Sequence, residues 1–418
     1  MTQAPQIEDN TSERAASTTP QALAPTAHGG PAGSDERAEL RARRLRDAWF
    51  MLGVLALGVV TLFALTTMGT AVSQRAPAPG ATATRTTASA TSPSAPNGAL
   101  PAGVQRAQVR AFNVSPANAG LMQPAVDAAG NVWFGEMTTN KLARLDPRTG
   151  RVDTWAPPQG RYNIMATAID THGDVWFTEQ ASNYIGRFHP ATAAFTTYPL
   201  EQVNGHGVAP QDLVFDARGM LYFTEVSGAK IGRLDPATGA IATWTVPAPA
   251  SGGPSYPYAI AAARDGAIWF GDLTGGAIGR LDAASGAVKL YALADKRAQI
   301  FSMVADDAGR VWFTELQGSK LGMMDTHTGT LREISVPATL GTPTGLYAVT
   351  VAASGDVWFA CASANALVRY VPGTQTFTFY QLQIPASIPY GVAFDRQGTL
   401  WFTADATTAN YVGALAVK

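Results

Sequence analysis

The stretch Val311-Trp312-Phe313-Thr314-Glu315 decides how this chain is read, because versions of it return at intervals of 43 to 47 residues. Their first aromatics are Trp133, Trp176, Tyr222, Trp269, Trp312, Trp358 and Trp401, seven in all. Each copy sits in the same grammar. In the third, Asp212-Leu213-Val214-Phe215-Asp216 reads as a strand, Ala217-Arg218-Gly219-Met220 as a turn and Leu221 to Thr224 as a second strand. Ile231-Gly232-Arg233-Leu234-Asp235 is a third strand, and Pro236-Ala237-Thr238-Gly239 turns into a fourth at Ile241 to Val246. Four short antiparallel strands per repeat describe a propeller blade, and the 3.6-residue period of an α-solenoid is absent. The expected fold is all-β, a seven-bladed β-propeller.

The chain ends support closure into a ring. The last unit stops at a third strand, Tyr411 to Val417, while Val109-Arg110-Ala111-Phe112-Asn113-Val114 carries the fourth-strand pattern far upstream. The N-terminal strand is therefore expected to complete the last blade and remove the open edges of a linear array. The propeller then spans residues 104–418.

Upstream of it the composition changes. Residues 1–47 are rich in Ala, Thr, Ser, Pro and Gly, lack apolar periodicity, and read as a disordered tail. Residues 48–72 are apolar, with no charge from Ala48 to Gln74, long enough as a helix to cross a hydrocarbon core of about 30 Å. This is the expected transmembrane helix. Arg37, Arg41, Arg43, Arg44 and Arg46 precede it and only Arg75 and Arg85 follow closely, which predicts a cytoplasmic N-terminus and an extracytoplasmic propeller. The Ala/Thr/Ser/Pro-rich residues 73–103 read as a flexible linker. Thirty Lys and Arg against 31 Asp and Glu leave a formal charge of −1, so nucleic acid is not an expected partner. The single cysteine, Cys361, permits no intramolecular disulfide.

Trp-Phe-Thr-Glu, then Ile-Gly-Arg, then Asp-Pro-x-Thr-Gly resembles the repeat of the streptogramin B lyase, or virginiamycin B lyase, family. Glu179 to Arg187 and Glu225 to Arg233 follow that pattern, and Ile278-Gly279-Arg280 keeps its second half. The resemblance implies a histidine in a Pro-His-x-Ile phrase at the start of an inner strand. It also implies acids of the Trp-Phe-Thr-Glu type that hold Mg²⁺, and ring opening of the antibiotic by elimination at its ester linkage. The corresponding position lies eleven residues before each repeat's first aromatic. It holds Met122, Met165, Gln211, Tyr258, Phe301, Tyr347 and Tyr390. Pro257-Tyr258-Ala259-Ile260 and Pro389-Tyr390-Gly391-Val392 keep the proline and put tyrosine in place of the base, and a phenol with a pKa near 10 is a weak base at neutral pH.

Regular hairpin geometry places that position opposite the acid, on one face. The acids are Glu136, Glu179, Glu225, Asp272 and Glu315, with Cys361 and Ala404 in the last two blades. Glu179, Glu225 and Glu315 are candidate ligands for a hard cation, with Mg²⁺ the one in question. An arginine eight residues after each acid, at Arg144, Arg187, Arg233 and Arg280, is the expected structural ion-pair partner. Met323 breaks that series in blade five and Arg369 faces Cys361 in blade six, so Glu315 and Arg369 are expected to pair across blades or to be free for a ligand. Tyr258, Phe301, Tyr347 and Tyr390 form an aromatic half of the axial opening, a surface suited to stacking. His206, in Asn204-Gly205-His206-Gly207, is the one histidine placed to lean over the site. The leading functional expectation is a membrane-anchored propeller that binds a small molecule, glycan or protein at its axis. The alternative is a metal-assisted lyase with His206 or Tyr258 as proton acceptor. A propeller lactonase ranks last, since only Asn163 and Asn204 supply amides near the entrance.

Overall fold

A computed structural model describes residues 84–87, 90–91, 100–158, 163–405 and 410–417. The tail at 1–47 and the apolar run at 48–72 lie outside the described residues. Among those described, no helix is long and apolar enough to cross a membrane. The seven repeats fold as seven antiparallel blades. Blade three shows the order from the axis outward: Pro210–Phe215, Leu221–Glu225, Lys230–Leu234 and Ile241–Thr245. The first strands of neighbouring blades touch in an unbroken ring, the seventh meeting the first.

Closure follows the sequence. Val109–Val114 pairs antiparallel with Asn410–Ala416 as the fourth strand of blade seven, Val114 opposite Asn410 and Val109 opposite Leu415. Part of the segment read as a linker also lies on blade edges. Thr84–Thr87 pairs with the outer strand of blade one, Arg151–Trp155. Ala90–Thr91 pairs with Val109–Val114, and Val104–Arg106 runs parallel to the outer strand of blade six. Threonine, β-branched and strand-forming, suits this stretch to covering exposed edges.

The repeated motif is a device for packing blades. Successive residues of a strand point to opposite faces, so Trp and Phe enter different interfaces. Trp133 packs with Phe177 of the next blade, Trp176 with Phe223, Trp269 with Phe313, Trp312 with Phe359 and Trp358 with Phe402. Tyr222 takes the Trp role against Phe270, and Trp401 meets Phe134 across the closure. In five blades the Phe ring also lies over a glycine of the third strand, Gly186, Gly232, Gly279, Gly322 or Gly413, while Ala143 and Val368 take that place in blades one and six. A Cβ at Gly232 would come 2.2 Å from Phe223, so packing rather than backbone conformation requires the glycine.

Trp is anchored at its polar end. Its Nε1 donates to the aspartate six residues before it at 2.9 Å in Trp133 and Asp127, 2.9 Å in Trp176 and Asp170, and 2.8 Å in Trp312 and Asp306. The other oxygen of that aspartate accepts backbone N–H groups of the hairpin turn. In blades four and six the aspartate is replaced by Ala263 and Ala352, and the buried Nε1 atoms of Trp269 and Trp358 have no partner. Ala263→Asp should therefore stabilise the fold by about 1 kcal/mol by satisfying a buried donor. The urea midpoint reads it, and an unchanged or lowered midpoint would contradict this account of the turn.

Candidate functional site

The start of each first strand differs from a regular hairpin by one residue. In blade two Phe177 faces Thr167, yet Glu179 faces Ile164 rather than Met165. The same β-bulge recurs where Glu225 faces Pro210, Asp272 Pro257, Glu315 Ile300, Cys361 Leu346 and Ala404 Pro389. One extra residue turns the following side chain to the other face. Met165, Gln211, Tyr258, Phe301, Tyr347 and Tyr390 thus part company with the acids, which corrects the expectation that the two sets share a face.

The motif's threonine holds this bulge. Thr178 Oγ1 accepts the N–H of Ala166 on its own first strand, and Thr224 and Thr403 do the same for Asp212 and Gly391. The hydroxyls of Thr178, Thr224 and Thr314 donate to the carbonyls of Gln211, Tyr258 and Tyr347 in the next blade. Where glycine replaces threonine, at Gly135 and Gly271, a Cβ would lie 2.6 Å from Ile164 or 2.2 Å from Ile300.

The five acids are at most 1% exposed, and each sits under the turn joining its second and third strands. Asp272 accepts the N–H groups of Tyr256 and Thr274, both at 2.9 Å, and the hydroxyl of Ser255. Glu136 takes the Thr139 hydroxyl. Glu225 has neither carboxyl oxygen hydrogen-bonded. Glu315 has Lys320 Nζ at 4.0 Å, although Lys320 bonds Glu333 at 2.6 Å. Desolvation pushes the carboxyls of Glu179, Glu225 and Glu315 up to about 7 and that of Glu136 above its ordinary value. Among the described residues no three acids, histidines or cysteines come together as a metal site. The acids are thus separate carboxyls under separate turns, and they do not fit as a joint set for one Mg²⁺.

The expected Glu–Arg pairs do not form. Strand register sets each arginine opposite the Trp, three residues from the acid, whose own cross-strand neighbour is Lys141, Tyr184, Lys230 or Lys320. Arg144 and Arg187 instead lie over Trp133 and Trp176 at 5.5 and 5.2 Å and bond Asp153 and Asp174. Arg233 lies over Trp244, and Arg280 approaches Asp265 at 3.7 Å. In blade five Arg310, from the second strand, takes over this task above Trp312 and bonds Asp306, so Met323 leaves no gap. Arg369 bonds Asp356 at 2.6 Å, and a pair between Glu315 and Arg369 is absent. Cys361 is a buried thiol whose pKa burial raises.

The aromatic residues do come together, as a cluster rather than one wall. Phe301 meets Tyr258, Tyr347 and Tyr390 at ring distances of 5.3, 5.0 and 5.5 Å, and Tyr347 lies 4.9 Å from Tyr390. The Tyr258 and Tyr390 hydroxyls bond one another, and burial raises both pKa values, away from any role as a base at neutral pH. Beyond the cluster an axial cavity of about 480 Å³ runs along the first strands past Thr167, Asp212, Ser302 and Thr350. Among the described residues no histidine lines it. His206 is exposed in the hairpin Gln202–Val203 and His206–Gly207, and His189 bonds Asp174.

Asp212 was missed in the sequence. Its position, ten before the repeat's first aromatic, holds Gln123, Ala166, Asp212, Ala259, Ser302, Ala348 and Gly391, so a lone charge was there to be noticed. Its oxygens accept the N–H of Leu213 at 2.9 Å and of Ile260, in the next blade, at 3.1 Å. Burial pushes this carboxyl up to about 7.

Residues 71–348 match the virginiamycin B lyase family. Virginiamycin B lyase from Staphylococcus aureus is 26% identical with a TM-score of 0.66, over 74% of this chain and 99% of that one. A catalytically inactive histidine-to-alanine variant of that enzyme, solved with quinupristin, matches equally. A streptogramin B lyase structure is 29% identical at a TM-score of 0.66, covering 74% of this chain and 97% of the other. No curated protein matches the chain. The repeat, the seven closed blades and the match over two thirds of the residues agree that this chain belongs to the virginiamycin B lyase family.

Proposed function

We propose that this family member is a ligand-binding propeller anchored outside the cytoplasm by its apolar segment, and that it takes a small molecule, glycan or protein at its axis. The aromatic cluster at the position of the expected histidine carries this reading. Catalysis by elimination needs a group that accepts a proton near neutral pH. The tyrosines found there have pKa values moved the wrong way, and the acids expected to hold Mg²⁺ are separate. The similarity to lyases sustains the alternative, with Tyr258 or His206 as proton acceptor, and ranks second for these reasons.

A fragment screen by ligand-observed NMR on the full chain tests the axial reading. Fragments that bind the wild type should lose about tenfold in affinity in Tyr258→Ala or Tyr390→Ala, both of which line the cavity, the size of a lost aromatic contact of about 1.5 kcal/mol. A set of hits indifferent to both substitutions would refute it. A reporter fused after Lys418 that is active only outside the cytoplasm checks the anchor, and activity confined to the cytoplasm would overturn that part.

A further inference from the structure

The axial cavity has a chemical bias. Among the described residues its lining includes one charged side chain, Asp212, with the hydroxyls of Thr167, Ser302 and Thr350, and no lysine, arginine or histidine. Tyr258, Phe301 and Tyr390 add aromatic side chains to the same lining. A volume of about 480 Å³ lies within the range of small-molecule sites. A carboxylate here is short of countercharge. It accepts hydrogen bonds from the neutral backbone amides of Leu213 and Ile260, one on each oxygen, and each oxygen keeps a further lone pair.

Blade five shows that an acid is not needed for the structural part of this arrangement. There Ser302 Oγ accepts the N–H of Val349 in the next blade at 3.2 Å, the bond that Asp212 makes to Ile260. A neutral hydroxyl satisfies this N–H in blade five. The negative charge at Asp212 is therefore surplus to blade packing, and it points into the cavity beside electron-rich ring faces. A carboxylate and aromatic faces together recognise a small organic cation.

We propose that the axial cavity is a site for a small ammonium ligand, with Asp212 as its ion partner and the Tyr258 and Tyr390 rings against its apolar part. This rests on the axial-binding reading and gives it a ligand class. In the complex the ligand supplies the countercharge the cavity lacks, and Asp212 stays ionised.

Benzylamine is the probe and benzyl alcohol its neutral counterpart, both titrated into the full chain by ligand-observed NMR. Benzylamine should bind at least about tenfold more tightly than benzyl alcohol, the value of one charge-assisted hydrogen bond. Asp212→Ser should erase that preference while its melting temperature stays at or above wild type, because serine keeps the bond to Ile260 and removes a poorly solvated carboxyl. Equal binding of the two probes, or an ammonium preference that survives Asp212→Ser, would overturn the cation site and leave axial binding standing. Binding of neither probe would overturn the cation site too, and the fragment screen then decides axial binding separately. Should Asp212→Ser unfold, Asp212→Asn, whose amide oxygen accepts the same N–H, carries the same test.

Discussion

Raising the pH from about 5 to about 8 should lower the melting temperature of the full chain by about 5 °C or more. Glu179, Glu225 and Glu315 have folded pKa values near 7, against an ordinary glutamate value of 4.5. Asp212 near 7 and Asp405 near 6 behave alike against 3.8. The cause in each is loss of water around the charge. Below the unfolded values, folded and unfolded chains are both protonated and no cost arises. Between there and pH 7 the unfolded chain ionises while the folded one resists, so stability falls as pH rises and then levels off. One carboxyl shifted by two to three units contributes on the order of 3 kcal/mol. Carboxyls shifted the other way, such as Asp153 and Asp174 in their arginine pairs, lose their contribution only as pH drops below the ordinary aspartate range. They leave the window from 5 to 8 untouched. Glu225→Gln should flatten part of the profile by raising the melting temperature at pH 8. A melting temperature that climbs from pH 5 to pH 8 would refute the description of these acids as poorly compensated.

Loss of the closing strand should be more damaging still. Val109–Val114 supplies the whole fourth strand of blade seven, and Phe112, fully buried, packs with Val132, Phe134 and Trp401 across the closure. Phe112→Ala should cost about 3 to 5 kcal/mol through the cavity it leaves. A chain beginning after residue 115 should lose its cooperative unfolding transition, since two edges open and the interface between blades seven and one is stripped. A peptide of residues 104–116 added in trans should restore the transition in part. A truncated chain that melts like the full one would refute closure by this strand.

The fold was legible because the Trp-Phe pair is both repeated and strongly apolar, and because the orphan strand at 109–114 matched the unit missing at the end. The site was less legible. Pairing Glu with Arg assumed that residues near in the pattern face one another, whereas Trp176 opposite Arg187 hands the arginine to Asp174. Counting outward from the turn at 180–183 would have found this. The β-bulge had no such marker. The threonine that pins it looked like ordinary strand composition, and one extra residue was enough to move Tyr258 and Tyr390 away from the acids and toward the axis. Asp212 was hidden for the opposite reason, since it lay inside a segment read as plain strand.

The proposed function has the propeller keep the family's frame and bind at its axis without elimination. The most direct measurement incubates the purified full chain with quinupristin and Mg²⁺ near neutral pH and follows the antibiotic by chromatography. The cyclic compound should be recovered intact at every time point. Time-dependent appearance of the linear product, abolished by Tyr258→Phe or by replacing His206, would contradict it.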